Sequence, residues 1–152
     1  MKGGITMERD LWGFKDVREL EKSTKDMPDM ILKEQIALLG KKTNFTIYGK
    51  PVFIQVKSPL IEYKVATIFN VVVQALDNYE KTLLIMYSNP ETEYPVSITL
   101  GSSYAEDCEQ FSPQYTCHDK EDFETAIKEI LSSERVLKII QMLYSKAVML
   151  AS

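Results

Sequence analysis

One histidine, two cysteines and six glycines leave this chain of 152 residues short of the parts from which catalytic and cofactor sites are usually built. His118 is the only imidazole, so any mechanism that needs a histidine base must use it. Its neighbour Cys117 invites a nucleophilic reading. Adjacent residues point in different directions, however, and a catalytic base is normally brought in from elsewhere in the fold. The expectation is a solvated loop histidine beside a semi-buried thiol. Cys108, Cys117 and His118, joined by Asp107 or Asp119, supply zinc donors on paper. Structural zinc sites come as paired short spacings, whereas eight residues separate these two cysteines and no second pair exists. A disulfide closing the same loop would require an oxidising environment or a redox role.

The glycines are equally uninformative. Gly3 with Gly4 is the one adjacent pair, and no G-x-G-x-x-G, Walker-type or G-x-S-x-G arrangement occurs, so no nucleotide cofactor has support in the sequence. Long apolar runs are also missing. Asn70, Gln74 and Asp77 interrupt the longest candidate, well short of the roughly 18 residues that span a bilayer. Residues 1–10 lack the apolar core of a secretory signal. A cytoplasmic protein with reduced thiols is expected, in which the sequon at Asn44 has no chemical consequence.

What is present is an ordinary globular composition, 45% hydrophobic and 26% charged, in a chain suited to a single domain over residues 1–152. The net charge of −4 is unevenly laid out: residues 101–131 carry eight acidic and two basic groups. That segment should repel phosphate backbones and anionic membranes, so neither nucleic acid nor a membrane is an expected partner.

The chain reads as α+β. Asp16 with Glu19 resembles a capping box and starts a short helix near Val17. Pro28 opens a second helix with Ile31, Leu32, Gln35, Ile36 and Leu39 at helical spacing, ending at Gly40 with Lys41 and Lys42 on its C-terminal dipole. Residues 44–101 then read as a mainly antiparallel sheet of about five strands. Residues 45–48 and 52–56 are joined by a tight Gly49-Lys50 turn. Residues 61–76 fit strand better than helix because of their β-branched and aromatic density. Asp77 and Asn78 form a turn, and residues 83–87, apolar throughout, belong in the middle of the sheet under helices. Residues 88–93 make a polar loop, and Val96, Ile98 and Leu100 alternate with Ser97 and Thr99 in a strand nearer an edge, because Pro95 cannot donate to a ladder. Residues 101–119 read as irregular. Two helices close the chain, one from about Lys120 with Phe123, Ala126, Ile127, Ile130 and Leu131 inward. The other starts near Ser133 and buries Val136, Leu137, Ile140, Leu143 and Tyr144.

Glu121, Asp122 and Glu124 sit in a helix's first turn, where negative charge offsets the dipole and needs no acid/base role. What remains is a set of tyrosines beside carboxylates: Tyr87, Asn89, Glu91, Glu93 and Tyr94 around one loop, then Tyr104, Glu106, Asp107, Glu109, Phe111, Tyr115 and Asp119 in the next. Rigid rings and steering carboxylates suit a basic protein surface. The expectation is therefore a non-enzymatic binding domain of the immunity or inhibitor kind, engaging a basic partner protein. The competing expectation is a small-molecule binding domain or enzyme with an apolar pocket lined by Tyr63, Phe69, Met86 and Tyr87. A homodimer through an exposed strand or the final helix is compatible with either.

Overall fold

The structure, a computed structural model, describes residues 8–100 and 111–151. Among these residues the chain runs α1 Val17–Thr24, α2 Pro28–Lys42, β1 Tyr48–Gln55, β2 Val65–Val73, a single 3-10 turn Gln74–Leu76, β3 Tyr79–Ser88, β4 Val96–Leu100, β5 Tyr115–Cys117, α3 Lys120–Leu131 and α4 Glu134–Ala151. The strands form one antiparallel sheet in chain order, each pairing with the next. The expected α+β architecture is thus observed. None of the described helices is long and apolar enough to cross a membrane.

Helices α2, α3 and α4 cover one face. Their Leu32, Phe123, Ile130 and Val136 pack with Phe69, Leu84, Met86 and Ile98 of the sheet. Between Phe69 and Asn70 the β2–β3 register shifts, so that Phe69 faces Leu84 while Asn70 faces Thr82 and Leu83 is the extra residue. Such a bulge breaks the strict alternation of faces. Both Leu83 and Leu84 therefore enter the helix-side core.

Among the described residues the other face is closed without a helix. Residues 56–64 double back across it, held by Val56 N–H donating to the Lys64 carbonyl at 2.9 Å and by Lys64 N–H donating to Asn89 Oδ1 at 3.0 Å. This return lays Ile61 and Tyr63 over Ala66, Ile85 and Tyr87, with Phe111 packed beside them. The Tyr87 and Phe111 rings meet edge to face at 4.8 Å between centroids. Burying a phenol requires a partner for its hydroxyl. The Tyr63 hydroxyl has Ser97 Oγ at 2.8 Å, and Ser97 in turn has Thr116 Oγ1 at 3.3 Å.

Several local expectations are corrected. The Gly49-Lys50 turn does not form: both residues lie inside the continuous strand β1. A Cβ on Gly49 would meet the Ile36 carbonyl oxygen at 2.7 Å and Ile36 Cγ2 at 2.9 Å, so the glycine serves the close seat of α2 on β1 rather than a turn. Helix α2 passes through Gly40 to Lys42, and its end is made by Asn44 in the left-handed region, with Phe45 N–H donating to the Gly40 carbonyl at 2.8 Å. The sheet has five strands, but the fifth is Tyr115–Cys117, within the stretch read as irregular, and it takes the edge position next to β4. Central strand β3 is covered by helices on one face only. On α4, Val136 is buried, whereas Leu137 and Tyr144 stay exposed, because none of the described elements covers that side of the helix.

The two glycines of α2 and β1 should respond differently to alanine. Gly49→Ala forces backbone and a β-branched core side chain apart and should cost about 1–3 kcal/mol in urea unfolding. At Gly40 the nearest atoms, 2.7 Å away, belong to the ring of Phe45, which is 66% exposed and free to swing. Gly40→Ala should therefore be within about 1 kcal/mol of wild type, the lost ring contact offset by better helix propensity. Equal losses at the two positions would contradict this assignment of their roles.

Candidate protein-binding surface

The acidic end of the molecule is built by two devices, a loop and a helix start. Residues 89–95 connect β3 to β4 and leave Glu91 and Glu93 exposed. At the start of α3, Asp119 accepts from the Asp122 N–H at 2.8 Å, and Asp122 reaches back to accept from the His118 N–H at 3.1 Å. Helix α1 repeats the pattern, with Asp16 accepting from Arg18 and Glu19 N–H and Glu19 accepting from Lys15 N–H at 2.7 Å. In both, the third-position carboxylate reaches one residue further back than in the usual capping box.

The loop and the helix start converge. Burial pushes the Tyr94 hydroxyl up to about 12, and Glu93, Cys117, Asp119 and Glu124 add to the rise. The neighbouring Cys117 thiol is pushed up to about 11, first by burial and then by Asp122 and Asp119. Asp119, the cap of α3, acts on both groups, while Glu93 and Glu124 act on Tyr94 and Asp122 on Cys117; with Val96 paired to Cys117, these carboxylates gather at one end of the sheet. Among the described residues, the Tyr94 hydroxyl is buried without a hydrogen-bond partner, as is that of Thr99.

The structure distributes the expected contact residues unequally. Glu91 and Glu93 are on the surface. Tyr94 and Tyr115 are half-buried against the helix-side core. Tyr87 is fully buried on the other face, and Phe111 lies against it and Tyr63. The correction for Tyr87 follows from its place in the central strand, where a solvated ring would open the core. Tyr104, Glu106, Asp107 and Glu109 lie outside the described residues. Asp119 lies where the acidic set expects it, whereas Asp122 and Glu124 join the surface although their spacing announces only a helix start; the nearness of all three to Glu93 is set by the β4–β5 pairing.

Tyr63 and Tyr87 belong to one core and Phe69 and Met86 to the other, with the sheet between them, so these four residues cannot line one pocket. His118 is exposed while Cys117 points inward as a free thiol, the alternation of a strand end, and the pair forms no nucleophile with its base. Cys108 lies outside the described residues. Among the described residues, no three His, Cys, Asp or Glu side chains are grouped to hold a metal ion.

The raised groups carry a pH dependence. From the ordinary thiol value upward, the unfolded chain releases the Cys117 proton while the folded chain keeps it, so stability falls as pH rises through about 9 to 11. Tyr94 repeats this between about 10 and 12. Urea midpoints measured from pH 8 upward should fall for the wild type, and Cys117→Ala should flatten the lower part of that decline; parallel curves would refute it. Comparison with protein-family models, curated proteins and solved structures returns no match for this chain.

Proposed function

We propose that this protein is a non-enzymatic binding domain of the immunity or inhibitor kind, acting in the cytoplasm, whose acidic end engages a basic partner protein. The observation that carries the reading is the convergence of Glu93 from the β3–β4 loop with Asp119, Asp122 and Glu124 from α3 around Tyr94 and Cys117. Carboxylates gathered on one rigid end steer a cationic partner and fix its approach. Their support is stiff, since β4 and β5 are hydrogen-bonded together and α3 is capped by two of the same carboxylates. The aromatic share of such a contact falls to the half-buried Tyr94 and Tyr115. The small-molecule reading has no comparable support, because the sheet divides the side chains it would need.

The test is affinity capture from native lysate by the wild-type chain and by a Glu91→Lys, Glu93→Lys, Glu124→Lys variant. These positions are exposed and leave the Asp119 and Asp122 caps intact. Wild type should retain one defined basic protein, with affinity falling steeply as salt is raised, and the triple variant should bind it at least about tenfold more weakly, about 1.4 kcal/mol. An unchanged catch, or an interface mapped wholly to α1 and α2, would overturn the proposal.

A further inference from the structure

Between the start of α2 and the β3–β4 loop lies a cleft of about 500 Å³, floored by the buried Pro28, Thr67 and Val96 and bordered by Asp29, Glu91 and Glu93. Among the described residues, the charged side chains that line it are all carboxylates. The cleft between α2 and α3 differs, since Lys25 and Lys128 there stand with Asp26, Glu34 and Glu124. Charge of one sign around an apolar floor suits a cation carried on an apolar stem.

Two polar groups in this cleft are left without partners. Thr67, only 5% exposed, stands on the helix side of β2 in alternation with Phe69, and among the described residues its hydroxyl has no hydrogen-bond partner. A hydroxyl so placed is normally satisfied. Asp29, in the first turn of α2, has no ion pair or hydrogen bond to its carboxylate among the described residues. Although the residue as a whole is exposed, desolvation against the cleft wall raises its carboxyl above the ordinary value, with no cation to oppose the rise. An aromatic ring completes the set. Phe53 pairs directly opposite Thr67 across β1 and β2, which puts both side chains on one face, and it borders the cleft 69% exposed.

We infer that this cleft receives an arginine side chain of the basic partner, on the reading that the acidic end engages such a protein. A guanidinium has five donors and no acceptor, so it answers groups that are free to accept. Two parallel N–H groups serve the Asp29 carboxylate, another serves Thr67 Oγ1, and the flat face of the fork lies on the Phe53 ring. The stem covers Pro28 and Val96, while Glu91 and Glu93 draw the cation in from a distance. Lysine fits less well, because its ammonium is a point charge with no plane to lay on the ring. Glu91 and Glu93 belong both to the acidic end and to the cleft, so the cleft extends that surface onto the start of α2.

The probe is N-acetyl-arginine methylamide, titrated at low salt into the full, isotopically labelled chain and followed by NMR amide shifts. Saturable shifts are expected at Asp29, Phe53, Thr67 and Glu91. The citrulline counterpart, which keeps the shape and loses the charge, should bind at least about tenfold more weakly, and the lysine counterpart about threefold. Asp29→Asn should weaken the arginine probe about tenfold and Thr67→Val about fivefold, the loss of one charged and one neutral hydrogen bond. Glu124→Gln, at the acidic end but outside the cleft, should leave it unchanged. Asp29 is exposed, so its variant decides the matter should Thr67→Val fail to fold. No shifts in the cleft, equal binding of citrulline, or indifference to Asp29→Asn would overturn the inference. The probe needs no partner, so the two proposals fail separately. A captured partner indifferent to Asp29→Asn would overturn the cleft as its contact and leave the acidic end standing, whereas probe binding with no partner captured would uphold the arginine site and count against the partner.

Discussion

Leu83, Leu84, Ile85, Met86 and Tyr87 are all buried in β3, and successive strand residues point to opposite faces, so both faces of the sheet must be dry at its centre. The rest of the structure answers that requirement. On one side it is met by three helices with a broad aliphatic core, and on the other by a loop that returns over the sheet with Ile61 and Tyr63. The second cover is thin, and it is fastened by specific hydrogen bonds, those of Lys64 to Asn89 and of Tyr63 to Ser97, rather than by mass of side chains. Its weight falls on few groups, which is why a phenol hydroxyl there is paired and not left to water.

The bulge at Leu83 changes how the two faces are shared. Beyond it the strands carry a polar cluster on the loop side, in which Thr82 donates to Asn70, Asn70 donates to Glu80, and Lys50 pairs with Glu80 at 3.2 Å. These bonds hold the Glu80 carboxyl below its ordinary range. The close-packed cover of that face therefore lies near Tyr63 and Tyr87, while beyond the bulge the exposed Lys50 and Glu80 bring its polar cluster to the surface.

Two surfaces of opposite character follow from this frame. One is acidic and rigid, set by β4, β5 and the capped start of α3. The other is apolar and lies along α1 and the α2–β1 groove, where the fold leaves Trp12 and Phe53 uncovered. They occupy different elements, and their physics differs: charge acts over long range, whereas apolar area acts through its removal from water.

Much of the fold was legible because local rules and tertiary demands agree. Asp16 caps α1 at the predicted place, α3 starts at Lys120 as predicted, Pro28 opens α2, and the β-branched run of β2 is a strand. Where a residue type serves two purposes, the reading went astray: Gly49 suits a turn as well as a close helix contact, and Leu137 has the spacing of a core position that none of the described elements covers. Of the candidate surface, the acidic residues were legible as charges, while the burial of Tyr87 was not. By itself the sequence determined the class of fold, the helix starts and the acid-rich segment, because capping, periodicity and charge act over a few residues. The tertiary structure alone decided which rings are inside, which carboxylates are neighbours and which apolar side chains remain uncovered, because each depends on groups brought together from distant parts of the chain.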